Sequence, residues 1–282
     1  MKYFDLHADT PYECYRRGEE LSSDNLAVSI EASALFDDFH QTFAFWIPDN
    51  EPKPYSLYRR MMEDFKKKCK GLPDNFPFSF SVENAKVIER DIGRLYEIKN
   101  DGVNMLTLTW NGENLIAGGC KSEQGLTRFG KGVIKEMNKL GMVVDVSHLN
   151  DKSFFGVINI AERVVASHSL CRSVFEHKRN LTDEQIKLIA QKGGLIGVCF
   201  FPGFLGGDTF LMLHRHIYHL LEMGLENNIA IGSDFDGAAM DTRLCSTADV
   251  KKLYFTLSEM GLTDRVLDKI FYENAKEYML NL

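Results

Sequence analysis

Short apolar segments alternate with helical patterns along most of this chain, and this alternation is the feature that most constrains its fold. Eight segments have the length and composition of buried β-strands. They are Tyr3–Asp9, Gln41–Ile47, Phe78–Glu83, Asn104–Trp110, Met142–His148, Val164–His168, Leu195–Phe200 and Ile229–Asp234. Strands that alternate with helices indicate an α/β protein with a parallel sheet. Eight such units predict a (β/α)8 TIM barrel, with a doubly wound open sheet as the alternative.

Helical patterns fill most of the intervals between these segments. Thr182, followed by Asp183, Glu184 and Gln185, has the composition of a helix N-terminus. The segment from Arg16 to Asp38 is the least regular, and we interpret it as an excursion after the first strand with a small hairpin around Leu26–Ile30. The predicted helices are Glu51–Lys70, Lys86–Lys99, Thr127–Lys139, one that opens at Thr182, Thr209–Met223, and two near 248–260 and 263–280.

Composition limits the classes of partner and the compartment. The 282 residues, 44% of them hydrophobic, fit one barrel domain over residues 1–282. A net charge of -7 without a basic stripe argues against nucleic acid and against anionic membrane surfaces. Six scattered cysteines without a Cys-x-x-Cys pair indicate reduced thiols, and no apolar run approaches the ~20 residues of a membrane span. Because the first predicted strand leaves no room for a signal peptide, we expect a cytoplasmic protein.

The first predicted strand ends in a pair of metal-binding residue types. His7 and Asp9 are two positions apart, so in an extended strand their side chains point to the same face. A neutral imidazole nitrogen and a carboxylate oxygen that converge there form half of a site for zinc or a similar divalent ion. Such triplets are frequent by chance, so the pair matters only if other segments complete it.

Other strands end in residues of the same chemistry. In a TIM barrel the carboxyl ends of all strands share one face, and that face carries the active site. Residues that are far apart in sequence would therefore meet at one mouth. The residues at predicted strand ends are His7 and Asp9 (first), Glu83 (third), Trp110 (fourth), His148 (fifth), His168 (sixth) and Asp234 (eighth).

Each of these residues has a structural alternative. His148 and His168 could be hydrogen-bonded core histidines, and Glu83 could cap a helix. Asp234 and Asp236 could form a turn beside a glycine, although Asp234 follows apolar or small residues and a buried carboxylate needs a cation. The remaining histidines are interpreted as structural: His214, His216 and His219 on an amphipathic helix, and His40 and His177 at the surface or in caps.

Three imidazoles and two carboxylates exceed what one zinc ion needs. A carboxylate that bridges two ions uses them economically. Two ions about 3.5–4 Å apart can hold a hydroxide between them, which is then a nucleophile at neutral pH.

The ordered set of motifs resembles the membrane (renal) dipeptidase family, zinc peptidases on a (β/α)8 barrel of the metal-dependent hydrolase type. No single motif is specific, but the set runs in order through nearly the whole chain. The motifs are Asp5-Leu6-His7-Ala8-Asp9, Val82-Glu83, Leu106-Thr107-Leu108-Thr109, Gly125-Leu126-Thr127, Phe129-Gly130, Glu136–Met142, Asp145-Val146-Ser147-His148, Ser167-His168-Ser169, Arg179-Asn180-Leu181 and Gly232–Gly237.

The resemblance implies a role for each site residue. His7 and Asp9 would hold one zinc ion, His148 and His168 the other, and Glu83 would bridge the two. Asp234 would accept and later donate a proton as a catalytic residue with Glu83, while Arg179 would bind a substrate carboxylate. The family hydrolyses dipeptides, tolerates a D-residue at the C-terminal position and often forms homodimers. Manganese or cobalt could replace zinc in such a site.

Position 110 departs from the common pattern. Many family members have a histidine after the Leu-Thr-Leu-Thr run, where it would stabilise the oxyanion, whereas this chain has Trp110 followed by Asn111. Some bacterial-type members also have tryptophan there. Tryptophan has one N–H donor and cannot shuttle protons. We therefore expect Trp110, with Asn111, to line the substrate pocket and to act mainly through its shape.

Two other functions compete with the dipeptidase hypothesis. One is a lactonase or cyclic-amide hydrolase on a similar barrel, although those usually open with His-x-His and often use a modified lysine as the bridge. The other is a degenerate barrel that only binds a partner, for which Trp110 is the best support. The complete set of five ligand residues, Asp234 and Arg179 argues against it.

Overall fold

The computed structural model describes residues 1–73 and 76–280, and in them eight parallel strands close into a barrel. The strands follow sequence order around the barrel, and β1 pairs with both β2 and β8. The TIM-barrel prediction is confirmed, and the open sheet is wrong because the first and last strands are joined. The strands are β1 Lys2–Ala8, β2 Asp38–Trp46, β3 Phe78–Glu83, β4 Val103–Thr107, β5 Val143–Asp145, β6 Val164–Ser169, β7 Leu195–Val198 and β8 Ile229–Ile231.

Helices cover the outside of the barrel between the strands. Short 3-10 turns at Ala85–Ile88, Glu226–Asn228 and Thr247–Asp249, and a π-turn at Lys269–Glu273, complete the described elements. The helices are α1 Thr10–Arg17, α2 Ile30–Ser33, α3 Pro54–Cys69, α4 Arg94–Asn100, α5 Arg128–Lys139, α6 Asp151–Ile158, α7 Asp183–Gln191, α8 Pro202–Leu205, α9 Thr209–Glu222, α10 Val250–Glu259, α11 Asp264–Asp268 and α12 Asn274–Leu280.

Local capping explains where the predicted helices begin and where the predictions fail. Thr182 accepts a hydrogen bond from the backbone N–H of Gln185, whose side chain accepts one in return, so the predicted start of α7 is confirmed. The single helix predicted over Lys86–Lys99 is wrong, because Glu89 adopts φ 51° and separates a 3-10 turn from α4. The hairpin predicted around Leu26–Ile30 is also wrong, since Ser29 caps the short helix α2 there.

The amino ends of the strands are closed by apolar packing. Phe4 lies inside the barrel and contacts Tyr272 of the C-terminal segment, with ring centroids 6.5 Å apart. His40 stacks on Phe4 at 4.2 Å and is hydrogen-bonded to Ser79. The expectation that His40 lies at the surface or in a cap is therefore wrong, since it is 5% exposed. This packing fills the barrel interior at its amino end, and the opposite, carboxyl ends of the strands are the face that carries functional side chains in this fold.

Candidate metal centre

Six of the predicted site residues lie at the ends of five strands or just beyond them, and they meet at the carboxyl end of the barrel. His7, Glu83 and His168 lie within β1, β3 and β6, and Asp9 directly follows β1 at the N-terminus of α1. The other two, His148 and Asp234, do not end their strands as predicted but lie three positions beyond them.

Left-handed backbone turns place these two residues. His148 has φ 69° and Asp234 has φ 66°. This conformation is unfavourable for residues other than glycine and is concentrated at functional sites. Trp110 likewise lies three positions beyond the end of β4 rather than at it. The predicted fifth and eighth strands were too long because a hydrophobic pattern contains no signal for such a turn.

Glu83 stands between two groups of ligand atoms. Its Oε2 atom is 3.4 Å from Nε2 of His7, and its Oε1 atom is 2.8 Å from Nε2 of His148. Nε2 of His168 is 3.9 Å from the same Oε1 atom. On the other side, Nε2 of His7 is 3.6 Å from Asp9 and 4.0 Å from Asp234.

The donor atoms suit bound cations. Both ring nitrogens of His7 and the Oδ1 atom of Asp9 are buried without a hydrogen-bond partner among the described residues. Nε2 of His148 and Nε2 of His168 are 2.9 Å apart. This distance suits two nitrogen atoms whose lone pairs are directed at the same metal ion. Three overlapping ligand groups result: His7, Asp9 and Glu83; Glu83, His148 and His168; and His7, His168 and Asp234. Imidazole and carboxylate donors of this kind suit divalent metal ions.

Hydrogen bonds fix the orientation of two of the histidines. Nδ1 of His148 lies 3.1 Å from the Oδ1 atom of Asn111, and Nδ1 of His168 lies 2.8 Å from Oγ of Ser167. Ser167 donates its own hydrogen to Asp145 at 2.6 Å, so its oxygen accepts from His168. Both rings therefore carry their hydrogen on Nδ1, which leaves the lone pair of Nε2 available to bind a metal ion.

Two fully buried carboxylates hold the loops that carry the site residues. The Oδ1 atom of Asp145 accepts from the backbone N–H groups of Ser147 and Ser167, the residues that precede His148 and His168. Asp5 does the same on the other side of the barrel, accepting from the N–H groups of His7 and Ser233. Each carboxylate is satisfied by uncharged donors, which is how a buried anion is stabilised without an ion pair.

Burial and mutual repulsion shift the pKa values of the clustered groups. Burial, followed by the charge of Asp9, raises the pKa values of Glu83 and Asp234. Burial lowers the pKa values of His148 and His168 well below the usual value, whereas Asp9 and Glu83 overcome burial and raise the pKa of His7. Carboxylates that repel each other in a buried cluster are stabilised as anions by a cation placed between them.

The cluster forms the floor of a cleft of about 280 Å³. Trp110 and Asn111 line this cleft, as expected from the sequence. Gly237 lies against the cluster, where a Cβ atom would come within 2.2 Å of Asp9 and 2.7 Å of Asp234, so any side chain would displace these carboxylates. A larger depression of about 780 Å³ beside α4 contains none of the clustered residues, so volume alone does not locate the site.

Arg179 is buried next to the cluster and has no acidic partner within residues 1–73 and 76–280. Its guanidinium donates to the backbone carbonyl of His168 at 3.2 Å and lies 5.1 Å from the ring centroid of Phe204. Its Nε atom is buried without a hydrogen-bond partner among the described residues, and the side chain is 5% exposed. A buried cation in this state favours an anionic ligand.

The other histidines lie away from the cluster. His216 is buried in α9, where Nδ1 accepts from the N–H of Cys171, and His219 pairs with Asp183. Their structural interpretation is confirmed. Nδ1 of His177 accepts from the N–H of Arg179, which agrees with a capping role.

Sequence reasoning missed the residues that support the ligands and several that line the cleft. Asp5 and Asp145 appeared within motifs but received no role, although an aspartate inside an apolar strand pattern is a signal for a buried hydrogen-bond network. Ser167 gave no comparable signal. The cleft is also lined by Tyr12, Trp46, Phe201 and Phe204, which no pattern in the sequence brings together.

Within the described residues no helix combines the length and hydrophobicity needed to cross a membrane.

Comparison with known proteins identifies the family. The sequence profile of the membrane dipeptidase family (peptidase family M19) matches residues 61–278. A protein of Klebsiella pneumoniae, described as an uncharacterized protein in the pqqA 5′ region, is 33% identical over 209 residues, which are 68% of this chain and 76% of that protein. The dipeptidase verJ of Clonostachys rogersoniana is 30% identical over 208 residues, which are 70% of this chain and 53% of that protein.

A solved structure shows the same fold over the whole chain. It is a metallo peptidase of Rhodobacter sphaeroides with a phosphinate mimic of the dipeptide L-Ala-D-Ala, and it superposes with a TM-score of 0.87 at 20% identity, covering 99% of this chain and 98% of that one. With most of its length matched by the family profile and its metal-binding residue types gathered at the mouth of the barrel, this chain belongs to the membrane dipeptidase family of metallopeptidases.

Proposed function

We propose that this protein hydrolyses dipeptides, including those with a C-terminal D-residue, and that it does so with two zinc ions. His7 and Asp9 would hold one ion, His148 and His168 the other, and Glu83 would bridge them. The observation that carries the proposal is the position of Glu83, whose two oxygens lie 3.4 Å from His7 and 2.8 Å from His148. Zinc ions bound there would supply Lewis-acid chemistry, polarising a carbonyl and making water nucleophilic at neutral pH.

Asp234 is our candidate for moving the proton. Its Oδ1 atom is 4.0 Å from Nε2 of His7, it lines the cleft, and its raised pKa is suited to a group that gains and loses a proton. In this role the carboxylate accepts a proton from the attacking water. It then donates that proton to the nitrogen of the leaving amine as the C–N bond breaks. The second proton of the water leaves the new carboxyl group for the released amine, so that the products are a carboxylate and an ammonium group.

Arg179 is our candidate for binding the substrate. A dipeptide carries a carboxylate close to its scissile bond, and Arg179 is a buried cation next to His168 without an acidic partner in the described part of the chain. Pairing with that carboxylate would satisfy the guanidinium and would favour substrates of two residues.

Asn111 and Trp110 would have different roles beside His148. Asn111 lines the cleft and accepts from Nδ1 of His148, so we propose that it orients this ligand in addition to contacting the substrate. The ring of Trp110 lies 6.4 Å from the ring of His148, which suits a rigid apolar boundary of the substrate pocket.

The proposed hydrolysis of dipeptides with a C-terminal D-residue is supported by a similar protein rather than by the geometry of this cleft. The metallo peptidase of Rhodobacter sphaeroides has a mimic of L-Ala-D-Ala as its ligand and shares the fold. We extend that substrate class to this protein as part of the proposal.

One experiment tests the proposal against its alternatives. The purified protein is analysed for bound metal, loaded with zinc, and assayed with L-L and L-D dipeptides and with simple lactones and cyclic amides. Two zinc ions per chain together with dipeptide hydrolysis are the expected result. Hydrolysis of lactones or cyclic amides alone would assign another binuclear hydrolase, and absence of bound zinc would indicate a degenerate barrel.

A further inference from the structure

Three aromatic rings form a continuous surface on one side of the cleft. The ring of Trp46 packs edge to face against Tyr12 at 4.7 Å and against Trp110 at 5.1 Å. All three residues line the cleft and are partly exposed. We call this surface, formed by Tyr12, Trp46 and Trp110, the aromatic wall.

The aromatic wall faces Arg179 across the mouth of the barrel. Trp46 is the last residue of β2, and Trp110 follows β4. Arg179 follows β6, and its guanidinium rests on Phe204, which follows β7. In a closed barrel of eight strands in sequence order, the ends of β2 to β4 lie opposite those of β6 to β8, with the metal-binding cluster between them.

This arrangement fixes the direction of a bound dipeptide. We propose that the aromatic wall is the subsite for the N-terminal residue and selects dipeptides in which that residue is aromatic or bulky and apolar. The inference rests on the proposed function, since it takes the substrate carboxylate to be on Arg179 and the scissile carbonyl to be over the cluster. The N-terminal residue then has only the opposite side of the cleft to occupy.

Aromatic rings give such a subsite its selectivity. A rigid surface of three rings packed edge to face loses little conformational entropy on binding and offers stacking and edge-to-face contacts to an aromatic side chain and apolar contact to a leucyl side chain. An alanine side chain reaches little of that surface. The additional apolar contact of a phenyl or leucyl side chain, compared with alanine, corresponds to a difference of about tenfold or more in kcat/KM.

Trp46 is the residue that tests the proposal best. Its ring occupies the centre of the aromatic wall, between Tyr12 and Trp110. It belongs to none of the ligand groups of the cluster. Removing the Trp46 ring should therefore change the preference between dipeptides and leave metal binding intact.

The experiment measures kcat/KM for Phe-Ala, Ala-Phe and Ala-Ala with the zinc-loaded protein, and equilibrium binding of phosphinate analogues of Phe-Ala and Ala-Ala. We expect Phe-Ala to exceed Ala-Ala by about tenfold or more in both measurements. Trp46→Leu should reduce that ratio to within about threefold of unity, while Trp46→Phe, which keeps a ring, should retain most of it. Phe255→Leu, a matched aromatic-to-leucine change at an exposed position, should leave the ratio unchanged.

The outcomes separate this inference from the proposed function. Dipeptide hydrolysis without a preference for Phe-Ala, or an equal loss for both substrates in Trp46→Leu, would overturn the inference alone. A preference for Ala-Phe over Phe-Ala would reverse the direction of binding and also overturn it. If no dipeptide is hydrolysed but the Phe-Ala analogue still binds more tightly in a Trp46-dependent way, the subsite stands and the proposed function falls. If neither analogue binds, both fall.

Discussion

Asp145 and His168 are connected through a single hydroxyl group, that of Ser167. Its Oγ atom donates to Asp145 at 2.6 Å and lies 2.8 Å from Nδ1 of His168. The carboxylate therefore sets the direction of the hydroxyl, and the hydroxyl sets which ring nitrogen of His168 carries the hydrogen. Neighbours of this kind orient a metal-binding histidine and increase its basicity.

Replacing Ser167 should therefore weaken metal binding. Ser167→Ala removes the acceptor for Nδ1 of His168 and should lower zinc affinity at that position by about 10- to 100-fold. The measurement is a zinc titration by calorimetry, with metal content per chain as a second readout. Ser169→Ala is the matched control, because Ser169 is equally buried and its Oγ lies 3.4 Å from Ser147 rather than at a ligand. Equal affinity in both variants would contradict the role given to Ser167.

Asp234→Asn should separate proton transfer from metal binding. The amide keeps the size of the side chain but cannot donate a proton to the leaving amine, so kcat for a dipeptide should fall by about 10²-fold or more while zinc content is retained. Asp91→Asn, at an exposed position, serves as the matched control. Unchanged turnover with full zinc content would show that another group transfers the proton.

Amidation of the substrate should reveal the role of Arg179. If Arg179 pairs with the C-terminal carboxylate, a dipeptide amide should bind more weakly than the free dipeptide by roughly 2–4 kcal/mol. Arg179→Met should remove most of that difference. Arg172→Met should keep it, because Arg172 pairs with Asp151 instead. A free and an amidated dipeptide that are turned over equally well would exclude this role.

The barrel was predictable because its strands are buried on both sides and therefore read as continuous apolar runs. Every predicted strand overlaps an observed one, and errors concentrate at the ends. Met142–His148 was too long because the chain leaves the sheet after Asp145 and turns through a left-handed conformation at His148. Hydrophobicity does not encode that turn.

The ligand residues were predictable in kind, whereas their supports were not. Histidine and carboxylate residues at strand ends are rare enough to be noticed in a sequence. No pattern in the sequence indicates a role for Ser167 or Trp46, and their positions become meaningful only when the closed barrel brings β2, β4, β5 and β6 around one cleft. His40 was misjudged because nothing in its local sequence shows that its ring stacks on Phe4 and bonds to Ser79.

Stability should fall in acid because of buried histidines remote from the cleft. Burial lowers the pKa of His40 to about 4 and that of His216 to about 4, against an unfolded value of ~6.5. Between these values the unfolded chain binds more protons than the folded one. The stability contributed by each neutral ring is therefore complete above pH ~6.5 and is lost as the pH falls towards 4, by at most about 1.4 kcal/mol per pH unit.

Chemical denaturation at several pH values between 4 and 7 measures this slope. His40→Gln should make the slope shallower, and His40→Gln combined with His216→Gln shallower still. The series is repeated with a chelator present, so that loss of metal does not contribute to the slope. Identical slopes in the parent protein and the double variant would rule out these two histidines as the cause.

The last prediction concerns Trp110, where the chain has tryptophan in place of the histidine common in the family. Its ring packs against Trp46 and lies 6.4 Å from the ring of His148, so a boundary role is favoured over hydrogen bonding. Trp110→Phe deletes the N–H and keeps an aromatic face, and it should leave kcat for a dipeptide within about tenfold of the parent value. Loss of an oxyanion donor typically costs ~10²–10³ in kcat. A fall of that larger size, with zinc content unchanged, would show that the indole N–H stabilises the oxyanion in place of the missing imidazole.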